Sequence, residues 1–543
     1  MVPLKVALLL DSARTDVYVA ALCDWLRQQA CLELVLVLVA GARPARPAPP
    51  WSSPGRRHAL FFKGVMALEG GLLRYYKDHR AHLSLVDLGA AAAGTLPMRT
   101  LSRQQVPGAA PITHEQLRML GIGLFIDTGE IAWAEPILAL ATLGVVAIDY
   151  RRGRIAASAP IGFWETYQRR RKTGFAIVAR ARGVEPGRVL VQGAFRTKYA
   201  FLLNQAHLFC KAQAQLRKLL LDVAATGTLP AAHDPVPYSG QCLASPDCAG
   251  STVYALKLAG RLAKRALRRV FGIRDAWNLS VTRAAWRDAA LWRGVQVKAP
   301  RGHFWADPFL RQHAGRTYCF VEDYVYATNR AHISVLDITT ADVRCLGVAL
   351  REGFHLSFPF LFEYGGKLYM SPEASESAQI RIYQCDEFPL RWSLHSVAID
   401  RVSAADSMFF EHGGRWWLLT SIDRSGLNDH CSELCLFHAD SPLAGEWTAH
   451  PCNPLCIDTD MGRNAGLIMD GGRIFRAAQR QGFDQYGEGL TLFEITRLDR
   501  LAYTERKVTD IQHDYLRRSI GSHHISTAGN ITVVDVKTHR FAP

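Results

Sequence analysis

The stretch Ser357-Phe-Pro-Phe-Leu-Phe-Glu-Tyr-Gly-Gly-Lys-Leu-Tyr-Met-Ser-Pro-Glu373 decides the fold. It reads as two aromatic strands joined at Gly365-Gly366, because paired glycines supply the positive φ that a tight hairpin needs. The pattern returns four times. Ala306-Asp-Pro-Phe-Leu to Val-Glu-Asp323 precedes it, and Ala405 to Thr420, Gly462 to Gln479 and a weaker Ser522 to Asp535 follow it. Measured at the residue after each turn glycine (Arg316, Lys367, Arg415, Arg473, Asn530), the steps are 51, 48, 58 and 57 residues. Hairpins recurring at about fifty residues predict a β-propeller, here five blades over 300–543.

In a propeller the starts of the inner strands converge on the axis. Asp307, Ser357, Asp406, Arg463-Asn464 and His523-His524 stand at those starts, with Glu322-Asp323 and Glu373 one strand later. Converging carboxylates suit glycosidic chemistry, one as acid and one as base or nucleophile. Asp307, Glu373 and Asp406 are therefore the candidate catalytic acids. Their structural alternative is to tie blades together by hydrogen bonds.

Upstream, residues 1–226 alternate apolar runs with helical spacing. Strands are expected at Lys5–Leu10, Leu34–Val39, Leu83–Leu88, Gly123–Asp127, Val145–Asp149, Gly174–Val178 and Val189–Gly193. Helices are expected at Val17–Gln29, Glu135–Leu143 and Tyr199–Thr226, with a Pro/Arg-rich loop at Ala42–Arg57. This predicts an α/β domain with a mostly parallel sheet. Residues 227–299 read as a linker that holds a basic amphipathic helix at 254–272. Leu256, Ala259, Ala263, Leu267, Val270 and Phe271 share one side of it and six Lys/Arg the other, with Leu258 out of place.

The 543 residues carry 64 Lys+Arg against 49 Asp+Glu, a formal charge of +15. The excess gathers at Arg43–Arg57, Arg151–Arg154, Arg169–Lys172 and the linker helix. Such a distribution favours a phosphate-bearing or lipid-linked sugar and an anionic membrane surface, contacted through 254–272. Nucleic acid is not expected, since no zinc-finger spacing or RNP-type strand occurs. The opening apolar run ends at Asp11 without a cleavage site, and no stretch is apolar enough to span a bilayer, so a cytoplasmic protein at the inner membrane face is expected. The twelve cysteines include Cys431-x3-Cys435 and Cys452-x3-Cys456, which read as buried thiols; no metal is expected.

The blade phrases, with Asn453-Pro454, Gln479 and Tyr486-Gly487, resemble the propeller at the N-terminus of plant glucosamine inositolphosphorylceramide transferases. More distantly they resemble five-bladed furanosidases and arabinanases, whose first two acids match Asp307 and Asp406 and whose third has no clear match. These resemblances imply a glycan site that includes Glu322, Arg463, Gln479 and Tyr486. The runs Gly144–Asp149, Ala159-Pro-Ile-Gly-Phe-Trp-Glu165, Thr173–Ile177 and Val184–Leu190 resemble formyltransferase-like domains. That likeness implies 10-formyltetrahydrofolate as donor. Ala147, Asp149 and Glu185 then stand where those enzymes carry Asn, His and Asp, with Arg151 as a substitute cationic donor and Arg154 and Trp164 beside the substrate. An alanine cannot donate to an oxyanion and a carboxylate repels one, so this site is expected to be degenerate. Three functions follow: formyl or acyl transfer to an amino sugar with a glycan-binding propeller, glycosidase or glycan-transfer chemistry in the propeller, and a non-catalytic assembly role.

Overall fold

The computed structural model describes residues 2–40, 54–74, 84–88, 96–101, 109–129, 133, 135–156, 159–181 and 184–541. It divides into two compact units, 1–193 with 197–261, and 194–196 with 262–543.

The first unit is built on an eight-stranded sheet. Its order is Val184–Arg196, Lys172–Ala181, Val145–Asp149, Leu124–Asp127, Leu4–Leu10, Leu32–Val39, Met98–Thr100 and Ala110–Pro111. Pairing is parallel from Val145–Asp149 to the last strand, and Lys172–Ala181 runs antiparallel to Val145–Asp149. Leu4–Leu10 lies mid-sheet, and Val6 to Leu10 are buried, which explains its unbroken apolar run. The long helices are α1 (Val17–Arg27), α2 (Pro54–Leu72), α3 (Phe201–Thr226) and α4 (Cys248–Val270).

Two expectations need correction in this unit. The end of the predicted Ala42–Arg57 loop is the first turn of α2, while residues 42–53 lie outside the described residues. Leu85–Asp87 does not join the main sheet but pairs with Arg14–Asp16 in a small sheet of its own.

The second unit is a five-bladed β-propeller. Blade 1 comprises His303–His313, Arg316–Val325, Arg330–Asp337 and Arg344–Leu350; blade 2 comprises Ser357–Tyr364, Lys367–Glu373, Gln379–Glu387 and Arg391–Asp400. Blade 3 runs from Ala404–His412 through Arg415–Ile422 and Glu433–Ala439 to Thr448–Ala449, and blade 4 from Arg463–Asp470 through Arg473–Gly482 and Gln485–Leu498 to Tyr503–Ile511. Blade 5 is made from both ends of the unit. Its inner strands are Ile525–Ala528 and Ile531–Phe541, and its outer ones are Ile273–Thr282 and Val295–Val297, paired from Ile273↔Phe541 to Thr282↔Thr532. The propeller thus begins at 273, inside the stretch read as linker. This closure leaves the ring no open edge between first and last blade.

The inner strands of blades 1–3 share a bulge. Pairing slips between Ala306 and Phe309, between Ser357 and Phe360, and between Ala405 and Met408, and the first bulged residue has positive φ each time: Asp307 47°, Phe358 45° and Asp406 52°. Phe358, rather than Ser357, is therefore the counterpart of the two aspartates. Left-handed backbone at non-glycine residues is held by its surroundings and gathers at functional sites. Between blades the core is aromatic: Phe309 meets Phe358 edge-on at 4.8 Å, and Phe362 stacks on Phe409 at 5.0 Å.

In blade 4 the slip falls between Asn464 and Gly466, and a Cβ on Gly466 (φ 129°) would come within 2.1 Å of the Ile525 carbonyl oxygen of blade 5. Gly466→Ala is expected to cost about 2 kcal/mol, from forced separation of two blades and an unfavourable φ. Chemical unfolding of the purified protein measures this, and an unchanged midpoint would refute it.

The linker helix forms as α4, but its basic side is the side that packs. Its cations are not simply left in water. Lys257 Nζ donates to the Tyr167 carbonyl (3.2 Å) and sits 4.1 Å from that ring's centre. Arg261 donates to the carbonyls of Tyr199 (2.6 Å) and Thr166 (3.2 Å). Within the second unit Arg265 pairs with Asp484, and Arg268 meets His539 at 2.7 Å. Leu258, out of place on the helical wheel, is buried on this side with Tyr254. Leu256, Leu267, Val270 and Phe271 are exposed. Among the described residues no helix is long and apolar enough to cross a membrane.

Candidate functional site

A cavity of about 210 Å³ opens within the propeller. Three acids line it, Asp307 from blade 1's inner strand, Glu322 from the strand beside it and Glu373 from blade 2. Trp277, Phe304, Tyr324 and Tyr486 supply aromatic walls, and Arg463, His355, His523 and Ser357 complete the lining. The volume is below the roughly 300–1,000 Å³ of sites for drug-sized ligands, which suits one small polar group.

Arg463 at the start of blade 4 organises one wall. Its Nε donates to Asp406 Oδ2 at 2.6 Å, and its Nη2 donates to Asp406 Oδ1 (3.2 Å) and Glu373 Oε2 (2.9 Å). Gln479 Nε2 adds a bond to Asp406 Oδ2 at 3.0 Å. Asp406 is buried behind this fork and does not line the cavity. Burial pushes the Asp406 carboxyl up, against the pull of Arg463 and with the repulsion of Glu373. Burial also raises Glu373, but Arg463 and His430 outweigh it and hold that carboxyl at about 2. Two of the three predicted acids are thus committed to one guanidinium.

The opposite wall is differently built. Asp535 on the second strand of blade 5 accepts the backbone N–H groups of His523 (2.8 Å), His524 (2.9 Å) and Asp307 (3.3 Å), and the Nδ1 of His523 faces its Oδ2. His523 lies flat on Trp277 (centroids 3.8 Å apart, 10° between planes) and turns Nε2 to within 3.7 Å of Asp307 Oδ1. Asp307 Oδ2 accepts the Phe358 N–H at 3.2 Å, while Oδ1 has no hydrogen-bond partner. Burial, with repulsion from Glu322 and Asp535, lifts the Asp307 carboxyl to about 7 despite the attraction of His523. Burial lowers His523, but Asp535 and Asp307 outweigh it and raise its pKa overall. A buried acid lifted to about 7, beside an imidazole oriented by Asp535, is equipped to exchange a proton with a ligand. At the rim His355 accepts the Ala331 N–H at Nδ1 (3.2 Å), which leaves Nε2 to face Glu322 at 3.4 Å.

Of the propeller residues expected in the site, Asp307, Glu322, Glu373, Arg463 and Tyr486 line the cavity together, and Gln479 and Asp406 stand behind it. Trp277, Phe304, Tyr324, His355 and Asp535 are additions that the sequence does not single out. Position in the repeat marks His523 as a strand start without assigning it to the site. Trp277 carries no such signal, because its strand comes from outside the repeats.

In the first unit the expected residues serve local structure. Asp149 Oδ1 accepts the N–H groups of Arg151 (2.8 Å) and Arg152 (2.7 Å), closing the turn after its strand. Arg151 Nη1 donates to the carbonyls of Ala156 and Ala159. Trp164 Nε1 donates to the Ala244 carbonyl at 2.9 Å, and Arg154 lies 5.2 Å from the centre of the Tyr238 ring. Glu185 is on the strand Val184–Arg196, and its side chain lies outside the described residues. With Ala147 buried and Asp149 turned onto its own backbone, these groups do not fit a formyl donor whose oxyanion needs hydrogen-bond donors.

Among the described residues, one group has metal-ligand spacing: Asp307, His523 and Asp535, with ligand atoms within 4.8 Å of one another. Asp535 already serves three backbone N–H groups and His523, so an ion there would displace internal bonds. The twelve cysteines are free thiols.

Residues 293–524 match the family model described as "Glucosamine inositolphosphorylceramide transferase 1, N-terminal". The match is to the propeller. The Glucosamine inositolphosphorylceramide transferase 1 of Oryza sativa subsp. japonica is 36% identical over 210 residues, covering 37% of this chain and 28% of that protein. The protein of the same name from Arabidopsis thaliana is 34% identical over 212 residues, covering 38% and 27%. The chain therefore spans less than a third of the length of these relatives. Among solved structures, the catalytic domain of the Coprinopsis cinerea GH62 alpha-L-arabinofuranosidase is 11% identical with a TM-score of 0.34, covering 48% of this chain and 97% of that domain. A likeness that slight carries no argument.

Proposed function

We propose that the propeller cavity binds the sugar or cyclitol headgroup of a glycolipid, and that the protein acts in glycoconjugate assembly as a glycan-handling transferase. The observation that carries this reading is the pairing of a flat aromatic wall, Trp277 under His523 with Tyr486 edge-on to it at 5.2 Å, with cavity-facing Asp307, Glu322 and Glu373. Aromatic faces cover the apolar side of a ring while carboxylates accept its hydroxyl protons. The names of the matched relatives, which speak of glucosamine and inositolphosphorylceramide, point to the same class of ligand. In a transfer step Asp307 Oδ1 would take the proton of an attacking hydroxyl, with His523 held by Asp535 beside it. Hydrolysis through a pair of free carboxylates has less support, because Arg463 engages both Glu373 and Asp406.

Calorimetric titration with glucosamine 1-phosphate and with myo-inositol 1-phosphate tests the reading. One of them is expected to bind, and Trp277→Ala to weaken it by about tenfold, the loss of one stacked wall. If neither binds at millimolar concentration, the cavity is not a headgroup site and a non-catalytic assembly role gains. Formyl transfer in the first unit is a lesser proposal that rests on resemblance alone, since Asp149 is engaged by the N–H groups of its own turn. Turnover of 10-formyltetrahydrofolate that Asp149→Asn abolishes would restore it.

A further inference from the structure

Helix α2 and the part of α4 that belongs to the first unit, up to Arg261, meet through two hydrogen bonds. Tyr254 Oη donates to Glu69 Oε2 at 2.6 Å, and His58 Nδ1 accepts the Cys248 N–H at 3.1 Å. Their buried side chains are Val65 and Glu69 on α2, and Ser251, Tyr254 and Leu258 on α4. Their outer faces are apolar. On α2, Leu60, Phe61, Leu68 and Leu72 fall on one arc of the helix, with Gly64 between them, and Leu68 is 72% exposed. On the part of α4 within the first unit, Val253 and Leu256 are exposed, Leu256 at 67%. Water-facing apolar stripes on two adjoining helices are not what a solvated surface requires.

The charge around them is of one sign. Exposed Arg57 and Lys63 flank the α2 stripe, and exposed Lys257 edges that of α4. The one acid in either helix is Glu69, which is buried against Tyr254. We propose that these outer faces seat the protein on an anionic lipid surface, with the leucines and Phe61 at the acyl boundary and the lysines among the headgroups. A second copy docked there would bring basic edges together, whereas anionic lipid complements them. The arrangement is the reverse of the sequence expectation: apolar residues face outward and much of the α4 basic side is used within the protein. The proposal does not rest on the headgroup reading of the propeller.

Flotation of the full chain with vesicles of phosphatidylcholine, with and without phosphatidylglycerol, is the test. The protein is expected to float with the anionic vesicles, and less as salt rises. Phe61→Ser/Leu68→Ser and Val253→Ser/Leu256→Ser should each weaken partitioning by about tenfold or more, because each removes two inserted side chains. Arg57→Glu/Lys63→Glu should remove the preference for anionic lipid. These positions are exposed, so an unchanged unfolding midpoint checks that each variant folds. Failure of the parent protein to float, or serine variants that float equally, would overturn the proposal. So would light scattering that shows a dimer dissolved by the same serine substitutions, since a second copy would then be the occupant.

Discussion

Arg463→Met is expected to destabilise the propeller by about 3–5 kcal/mol, the cost of leaving buried carboxylates without their cation. The side chain is 12% exposed, and Asp406 and Glu373, which it joins, are 1% and 11% exposed. Little water can reach them to replace the guanidinium. Arg463→Lys should recover only part of the loss, because one ammonium cannot serve Asp406 at two atoms and Glu373 as the planar fork does. Removing the orphaned charges as well, in Arg463→Met/Asp406→Asn/Glu373→Gln, should recover more than the lysine does, since no ion is then left buried. Urea unfolding followed by tryptophan fluorescence reads the propeller transition, which contains Trp277, Trp305, Trp416 and Trp417. A loss below about 1 kcal/mol for Arg463→Met would mean that the wall is solvated and that Glu373 and Asp406 are free for chemistry. The hydrolytic reading would then regain its acids.

The same wall shows what a sequence can and cannot reveal. Asp307 and Asp406 were legible because a hairpin repeat fixes equivalent positions, and equivalent positions converge on the axis. What repeats, however, is a backbone bulge, and Phe358 occupies it in blade 2 as the aspartates do in blades 1 and 3. The start of the repeat points to Ser357, one residue short of the bulge. Trp277 was illegible for another reason: its strand is added to blade 5 from outside the repeats, and only long-range pairing with Ile531–Phe541 reveals it. The amphipathicity of α4 was plain, but a helical wheel cannot say which side meets the protein; Leu258 within the basic side was the clue. Helix α2 was missed because Gly64, Gly70 and Gly71 weaken its propensity and its apolar residues occur on both faces. For Asp149 and Arg151, the resemblance to formyltransferase-like domains points to a site, whereas Asp149 accepts the Arg151 N–H in the turn after its strand and Arg151 donates to the carbonyls of Ala156 and Ala159.

Asp307→Asn is expected to make the protein more stable at about pH 8 while removing ligand binding or turnover in the cavity. The carboxyl rises from 3.8 to about 7 on folding, through burial and the repulsion of Glu322 and Asp535, so the native state holds its proton more tightly than the unfolded chain. Its contribution is therefore most favourable below about pH 4, is lost as pH rises through about 7, and beyond that amounts to a buried charge carried at a cost. Three units correspond to about 4 kcal/mol, so a gain of about 2–4 kcal/mol for the amide is the expected size at about pH 8. Asparagine keeps an oxygen for the Phe358 N–H and cannot ionise. The gap should close on acidification to about pH 4, where the aspartic acid is neutral too. His523 slopes the same way: its folded pKa is raised, so its share of stability is present below the ordinary value and fades as pH rises through the folded one. In Asp307→Asn that slope should shrink, because Asp307 is one cause of the shift. Unfolding both proteins at about pH 4, 6 and 8 decides the matter. If the amide is less stable at about pH 8, the carboxylate is a tie between blades 1 and 2 and not a proton acceptor. A stabilising substitution that abolishes function would instead mark Asp307 as a residue kept at the expense of the fold, as catalytic acids and bases in water-poor sites are.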